Sequence, residues 1–77
     1  MSKDDTIKIR VASRLFLLGR KEATTRAITQ YILDSNIPFR KIPNTNSVAR
    51  VLKSSTSSWG FEKRRNSNNA YVWSVKK

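Results

Sequence analysis

The sequence contains no cysteine and no histidine, and only two glycines and two prolines among 77 residues. Without Cys or His there is no zinc finger, no iron–sulfur site, no Cys–His nucleophile and no Ser–His–Asp triad. No disulfide can staple the fold. Acidic residues are scarce as well, five Asp and Glu in all. Outside the C-terminal region these are Asp4, Asp5, Glu22 and Asp34, scattered except for the adjacent pair that opens a helical pattern. Such a set does not suit a carboxylate metal site or an acid/base pair. The longest apolar run is Leu15-Phe16-Leu17-Leu18, far short of the ~20 residues a membrane span needs. Met1 is followed by Ser2-Lys3-Asp4-Asp5 rather than by a basic and then an apolar stretch. No signal peptide is expected, and the expected location is cytoplasmic.

What remains is short and basic. A chain of 77 residues and 8.9 kDa makes one domain, residues 1–77. It buries only ~60% of its unfolded surface, enough for one small core but not for a deep pocket beside it. Neither an enzyme nor a small-molecule substrate is expected, and no catalytic, cofactor or metal residue is assigned. The 16 Lys and Arg exceed the 5 Asp and Glu to give a net charge of +11. Residues 1–39 hold seven basic and four acidic residues, or +3, and residues 40–77 hold nine and one, or +8. Solubility alone needs a net charge of about 2–8 of either sign. A larger, one-signed excess loaded on one half points to a polyanionic partner, nucleic acid first and an anionic membrane second.

Periodicity places three helices. Ile7, Val11, Leu15 and Leu18 step by four, four and three, with Ala12 and Phe16 beside them, predicting a helix over about 4–18 with that stripe buried. Asp4 or Asp5 is its expected N-cap, and Gly19-Arg20-Lys21 its stop. Residues 21–24 can supply a short strand. Thr24 or Thr25 then caps a second helix over about 25–35, with Ile28, Tyr31, Ile32 and Ser35 inward, ended by Ile37-Pro38. In the connection 36–43, Ile37, Phe39 and Ile42 are expected to tuck inward. A third helix follows over about 45–55, capped by Asn44 or Asn46. Val48, Val51, Leu52 and Ser55 form its buried stripe, and Asn46, Ser47, Arg50, Lys53 and Ser54 its other side.

The period then changes to two. Trp59, Phe61 and Lys63 alternate with their neighbours, as do Tyr71, Trp73 and Val75, around a basic, Asn/Ser-rich tip. This is a β-hairpin. Because a one-residue slip reverses a strand's faces, placing the aromatics on one face requires an odd loop of three or five residues, with Phe61 opposite Trp73. An Asn near the loop's end suits the left-handed conformation.

Two short helices, a basic third helix and a basic-tipped hairpin resemble the winged-helix (winged helix-turn-helix) family of DNA-binding proteins, an α+β fold of three helices and a C-terminal wing. Asn46-Ser47-Val48-Ala49-Arg50-Val51-Leu52-Lys53 is similar to that family's recognition helix. Trp59-Gly60-Phe61-Glu62-Lys63-Arg64-Arg65 and Ala70-Tyr71-Val72-Trp73-Ser74 are similar to the two wing strands. In size the chain is similar to small regulators encoded by archaeal viruses, plasmids and their hosts. The connection between the second and third helices is longer than in many members of the family and carries both prolines.

The resemblance implies a non-enzymatic, sequence-specific, double-stranded DNA-binding protein that regulates transcription. It places Asn44, Thr45, Asn46, Ser47 and Arg50 near base edges in the major groove. There Asn suits adenine and Arg suits guanine. Lys53 and Ser54 then meet phosphates. In the wing, Lys63, Arg64 and Arg65 grip the flanking backbone or enter the minor groove, joined at the tip by Asn66 and Asn68. Each set has a plainer reading, a solvated helix face for the first and a charged, aggregation-resistant edge for the second. Trp59, Phe61, Tyr71 and Trp73 can in principle stack single-stranded bases, but a domain this small needs them in its core. Ile9 and Leu17 fall off the first helix's stripe and leave apolar surface for a partner. A homodimer on doubled half-sites is compatible with this. The alternatives are a sequence-neutral architectural or RNA-binding module of ribosomal type, and an interaction domain for an acidic protein or membrane.

Overall fold

A computed structural model describes residues 2–75. Its elements run α1 (Lys3–Leu18), β1 (Ala23–Thr24), α2 (Thr25–Asp34), α3 (Thr45–Ser54), β2 (Phe61–Arg65) and β3 (Tyr71–Val75). The chain is therefore α+β, with three helices and one small antiparallel sheet in the order β1-β3-β2. The short strand anticipated between the first two helices is β1, and it flanks β3 on the side opposite β2.

Each helix starts where a side-chain oxygen accepts one of its unpaired N–H groups. Thr24 caps α2 by accepting from the Ala27 amide at 3.1 Å, and Asn44 caps α3 by accepting from the Ser47 amide at 2.9 Å. For α1 the cap is Ser2, which accepts from the Asp5 amide at 3.2 Å. Neither Asp4 nor Asp5 fills that role. Asp5 is instead buried, and its carboxylate accepts the backbone N–H groups of Arg40 and Lys41 at 3.0 and 3.2 Å.

That contact goes with the largest departure from the sequence expectation. The buried face of α1 is Asp5, Ile9, Ala12, Ser13 and Leu17, whereas Ile7, Val11, Leu15 and Leu18 are 50, 41, 60 and 41% exposed. The helix carries two apolar stripes, and its period is compatible with burying either. The small Ala12 and Ser13 let neighbouring elements come close, and two polar ties fix the rotation. One is the Asp5 anchor to the 40–41 backbone. The other joins Arg10 Nε to Ser55 Oγ at 2.6 Å, tying α1 to the end of α3.

The core is completed by Ile28 and Ile32 of α2, Val48, Val51 and Leu52 of α3, and Phe61, Trp73 and Val75 of the hairpin. Burying each large aliphatic side chain contributes about 1.5–3 kcal/mol. Trp73 is fully buried, and its indole N–H donates to Thr25 Oγ1 at 2.7 Å. In α2, Thr29 is buried and Ser35 exposed, the reverse of a simple stripe. In the connection to α3, Ile37 and Phe39 pack against the core as expected, but Ile42 is 75% exposed. Pro43 takes the inward position in its place.

The hairpin pairs Phe61 with Val75, Lys63 with Trp73 and Arg65 with Tyr71. The register is thus two residues away from the Phe61–Trp73 pairing expected, while the parity is kept. Phe61, Trp73 and Val75 share the core face, with Tyr71 half-buried at its margin. Residues 66–70 form a five-residue loop between Arg65 and Tyr71, one of the two odd lengths expected but displaced with the register. Asn66 organises it: its side-chain oxygen accepts the amides of Asn68 and Ala70 at 2.9 and 3.0 Å, and its backbone N–H donates to the Ala70 carbonyl at 3.0 Å. Asn69 takes the left-handed conformation at φ 65°, which Asn tolerates best after Gly. Gly60, at φ 73°, makes a left-handed turn into β2, and Asn36, at φ 54°, one after α2.

Candidate nucleic-acid interface

Helix α3 buries Val48, Val51 and Leu52 and turns a polar face outward. Thr45, Asn46, Arg50, Lys53 and Ser54 are exposed on it, and Ser47 is half-buried. Asn44, Asn46, Ser47, Arg50 and Ser54 line one side of an open groove of about 630 Å³; Thr6 of α1 and Lys41, Ile42 and Pro43 of the connection supply the other walls. Among the described residues, the side chains of Thr45, Asn46 and Arg50 have no intramolecular hydrogen bond or ion pair, so their donors and acceptors face solvent. Asn44 is partly committed, because its side-chain oxygen caps the helix and also accepts from Ser47 Oγ at 3.2 Å. Among the described residues its side-chain N–H groups have no acceptor.

Lys53 lies outside this groove. Its ammonium sits 5.5 Å from the centroid of the Tyr71 ring, joined there by Lys63 Nζ at 4.9 Å and the Arg65 guanidinium at 5.2 Å. The strand register explains the meeting. Lys63 and Arg65 alternate with Phe61 on one face of β2, Arg65 lies opposite Tyr71, and the C-terminal turn of α3 approaches the same place. The ring faces hold the cations by cation–π attraction. Arg65 also donates to the Tyr71 hydroxyl at 3.2 Å and to Asn69 Oδ1 at 3.4 Å. The Arg65 hydrogen bond and charge, followed by the charges of Lys63 and Lys53, pull the Tyr71 phenol below its ordinary pKa. Among the described residues none of the three cations has a carboxylate partner. Three positive charges without a carboxylate partner thus converge on one ring, a local field that favours negative charge.

Arg64 behaves differently. It projects from the opposite face of β2 and pairs with Glu22, beside β1. This ties the outer strand to the far edge of the sheet. Of the hairpin-tip residues singled out, Asn66 spends its side-chain oxygen on holding the loop, while Asn68 is exposed at the tip. The structure therefore gathers Lys53, Lys63 and Arg65 into one cluster and gathers Asn44, Asn46, Ser47, Arg50 and Ser54 along one groove. Arg64 belongs to neither group.

No family model, curated protein or solved structure matches the chain.

Sequence reasoning weighed Tyr71 for base stacking and preferred it as core cover, and missed it as the centre of a cation cluster. The correct register would have found it, since Arg65 and Tyr71 are direct cross-strand partners. It also missed Lys41 and Ile42 as groove residues, because nothing in the local pattern marks Ile42 as outward. The base-stacking reading of the aromatics loses its platform: Phe61 and Trp73 are buried, and Trp59 is half-buried against the core.

Proposed function

We propose that the chain is a double-stranded DNA-binding protein of winged-helix type that recognises a specific site and regulates transcription. On this reading α3 enters the major groove. Asn46 and Arg50 present free side chains to base edges, with Asn44, Thr45 and Ser47 at the helix start beside them. Asn is suited to adenine and Arg to guanine by donor and acceptor geometry. The hairpin is the wing, and Lys63 and Arg65 meet the flanking phosphates together with Lys53. Ser54 and Asn68 lie where further backbone contacts form, and Asn66 acts by shaping the tip. Arg64 contributes long-range charge while held by Glu22.

The observation that carries this reading is the cation cluster at Tyr71. It joins the end of α3 to the hairpin with no carboxylate paired to it among the described residues, so one backbone segment can bridge the two elements. A solvated helix face or an aggregation-resistant edge needs no such convergence.

The test is selection from a random duplex library at near-physiological salt with excess unrelated competitor, which suppresses the sequence-independent electrostatic part of binding. An enriched motif that Arg50→Ala relaxes is the expected result. Retention of duplexes with no motif, or preference for structured RNA, replaces this reading with the sequence-neutral or RNA-binding module.

A further inference from the structure

The uncovered stripe on α1 has no role in the surface just described. Ile7, Val11, Leu15 and Leu18 run along a 16-residue helix, a length of about 24 Å. Beside them lies an apolar groove of about 400 Å³, flanked by Tyr31 and Ile37. None of these residues lines the groove beside α3. A continuous row of half-exposed aliphatic side chains on a domain this small marks a contact surface.

We propose that a second copy of the chain covers this face, its α1 packed antiparallel to the first about a two-fold axis near Val11. Ile7, Val11 and Leu15 are self-complementary in that arrangement, and Leu18 comes level with Asp4 of the partner subunit. Ile7 meets Leu15 of the partner subunit, Leu15 meets Ile7 of the partner subunit, and Val11 lies on the axis, as an isologous contact requires. The ends match in charge. Asp4 is exposed with no ion-pair partner among the described residues, and the antiparallel arrangement carries it toward the basic turn at Arg20 and Lys21 of the partner subunit. Antiparallel helix dipoles favour the same orientation.

The exposed face also suits a second copy. The four side chains are 41–60% exposed, and the stem of Lys8 adds to the apolar wall they share with the groove. A contact made from one such stripe on each copy is small for a specific interface and corresponds to a weak, reversible dimer. A helix lying on a membrane instead needs a broad apolar face with aromatic anchors. This stripe is narrow, its four members are all aliphatic, the Tyr31 ring beside it is stacked on Phe16, and it has a carboxylate at its end.

The contact requires no nucleic acid, so its test is made without any. Sedimentation velocity on the full chain, over about 10–500 µM and at about 0.1 and 0.5 M NaCl, is expected to show a monomer–dimer equilibrium. The dimer tightens at the higher salt, because screening weakens repulsion between two copies of charge +11. Leu15→Glu and Leu15→Lys, opposite in charge and both on the exposed face, each weaken the dimer at least tenfold while leaving circular dichroism and Tm unchanged. The natural chain has no cysteine. A Val11→Cys variant should therefore be joined into dimers by a short bismaleimide, whereas Ile42→Cys, in the groove beside α3, should not. A chain that stays monomeric at every concentration and both salts overturns the proposal, as does association that both Leu15 variants leave intact. Monomeric protein that binds vesicles of anionic lipid through Leu15 reassigns the face to a membrane.

Discussion

Ser13 and Asp5 are both buried polar residues on α1, with opposite consequences. The Ser13 hydroxyl has no hydrogen-bond partner among the described residues. Replacing it with Ala removes an unmatched polar atom and improves helix propensity. Ser13→Ala is expected to stabilise the fold by about 1 kcal/mol, a Tm gain of about 4–8 °C for a chain of this size. A lowered Tm would show that the hydroxyl is satisfied. Asp5 is fully matched. The backbone N–H of Arg40 does most to hold its carboxyl below the ordinary range, helped by the Lys41 N–H, the charge of Lys8 and a bond with Ser2, against the opposing effect of burial. A folded-state pKa below the unfolded one contributes stability above the ordinary carboxylate range and loses it as pH falls through the folded value. Thermal melts from about pH 6 down to about pH 2 should therefore show a fall in Tm that Asp5→Asn flattens. The variant should also melt lower than the natural chain at neutral pH. Equal Tm values there would remove the anchor from the account of how α1 is oriented.

At the scale of the element, the alternation of β2 separates three consecutive basic residues into two functions. Lys63 and Arg65 share the Tyr71 side, and Arg64 points the other way into its pair with Glu22. If the cluster binds phosphates, Lys63→Ala and Arg65→Ala each reduce the salt slope of duplex binding by about 0.9, the contribution of one phosphate contact. Arg64→Ala changes it less, and Glu22→Gln frees Arg64 without removing a cation. Three equal losses, or none, would break the link between strand face and contact. The same charges protect an exposed sheet edge from pairing with other chains, so structural protection and the proposed binding coexist on one strand.

For the whole molecule, a net charge of +11 sets the two proposed associations against each other in salt. Duplex binding releases counterions and weakens as salt rises. Packing of two copies through α1 joins like-charged bodies by an apolar face and strengthens under the same change. Fluorescence anisotropy of a labelled duplex and sedimentation of the free protein, measured across one salt series, should move in opposite directions. If both weaken together, self-association is electrostatic and the α1 stripe is not its cause.

The local features of this chain were legible in its residues. The order of helices and strands follows from apolar period, the caps at Thr24 and Asn44 from side-chain oxygens beside helix starts, and the odd loop with a left-handed Asn69 from turn chemistry and strand parity. All of these depend on neighbours in sequence. What the tertiary structure decided depends on what lies opposite in space. Helix α1 has two apolar stripes of similar strength, and only packing against the other elements, with Asp5 and Arg10 anchored, selects Ile9 and Leu17 over Ile7 and Leu15. A two-residue shift of the hairpin keeps every face and so leaves no trace in the alternation; the side chain of Asn66, closing the loop, sets it. The meeting of Lys53, Lys63 and Arg65 at Tyr71 follows from that register and from where α3 ends, and neither is a property of the segments taken alone.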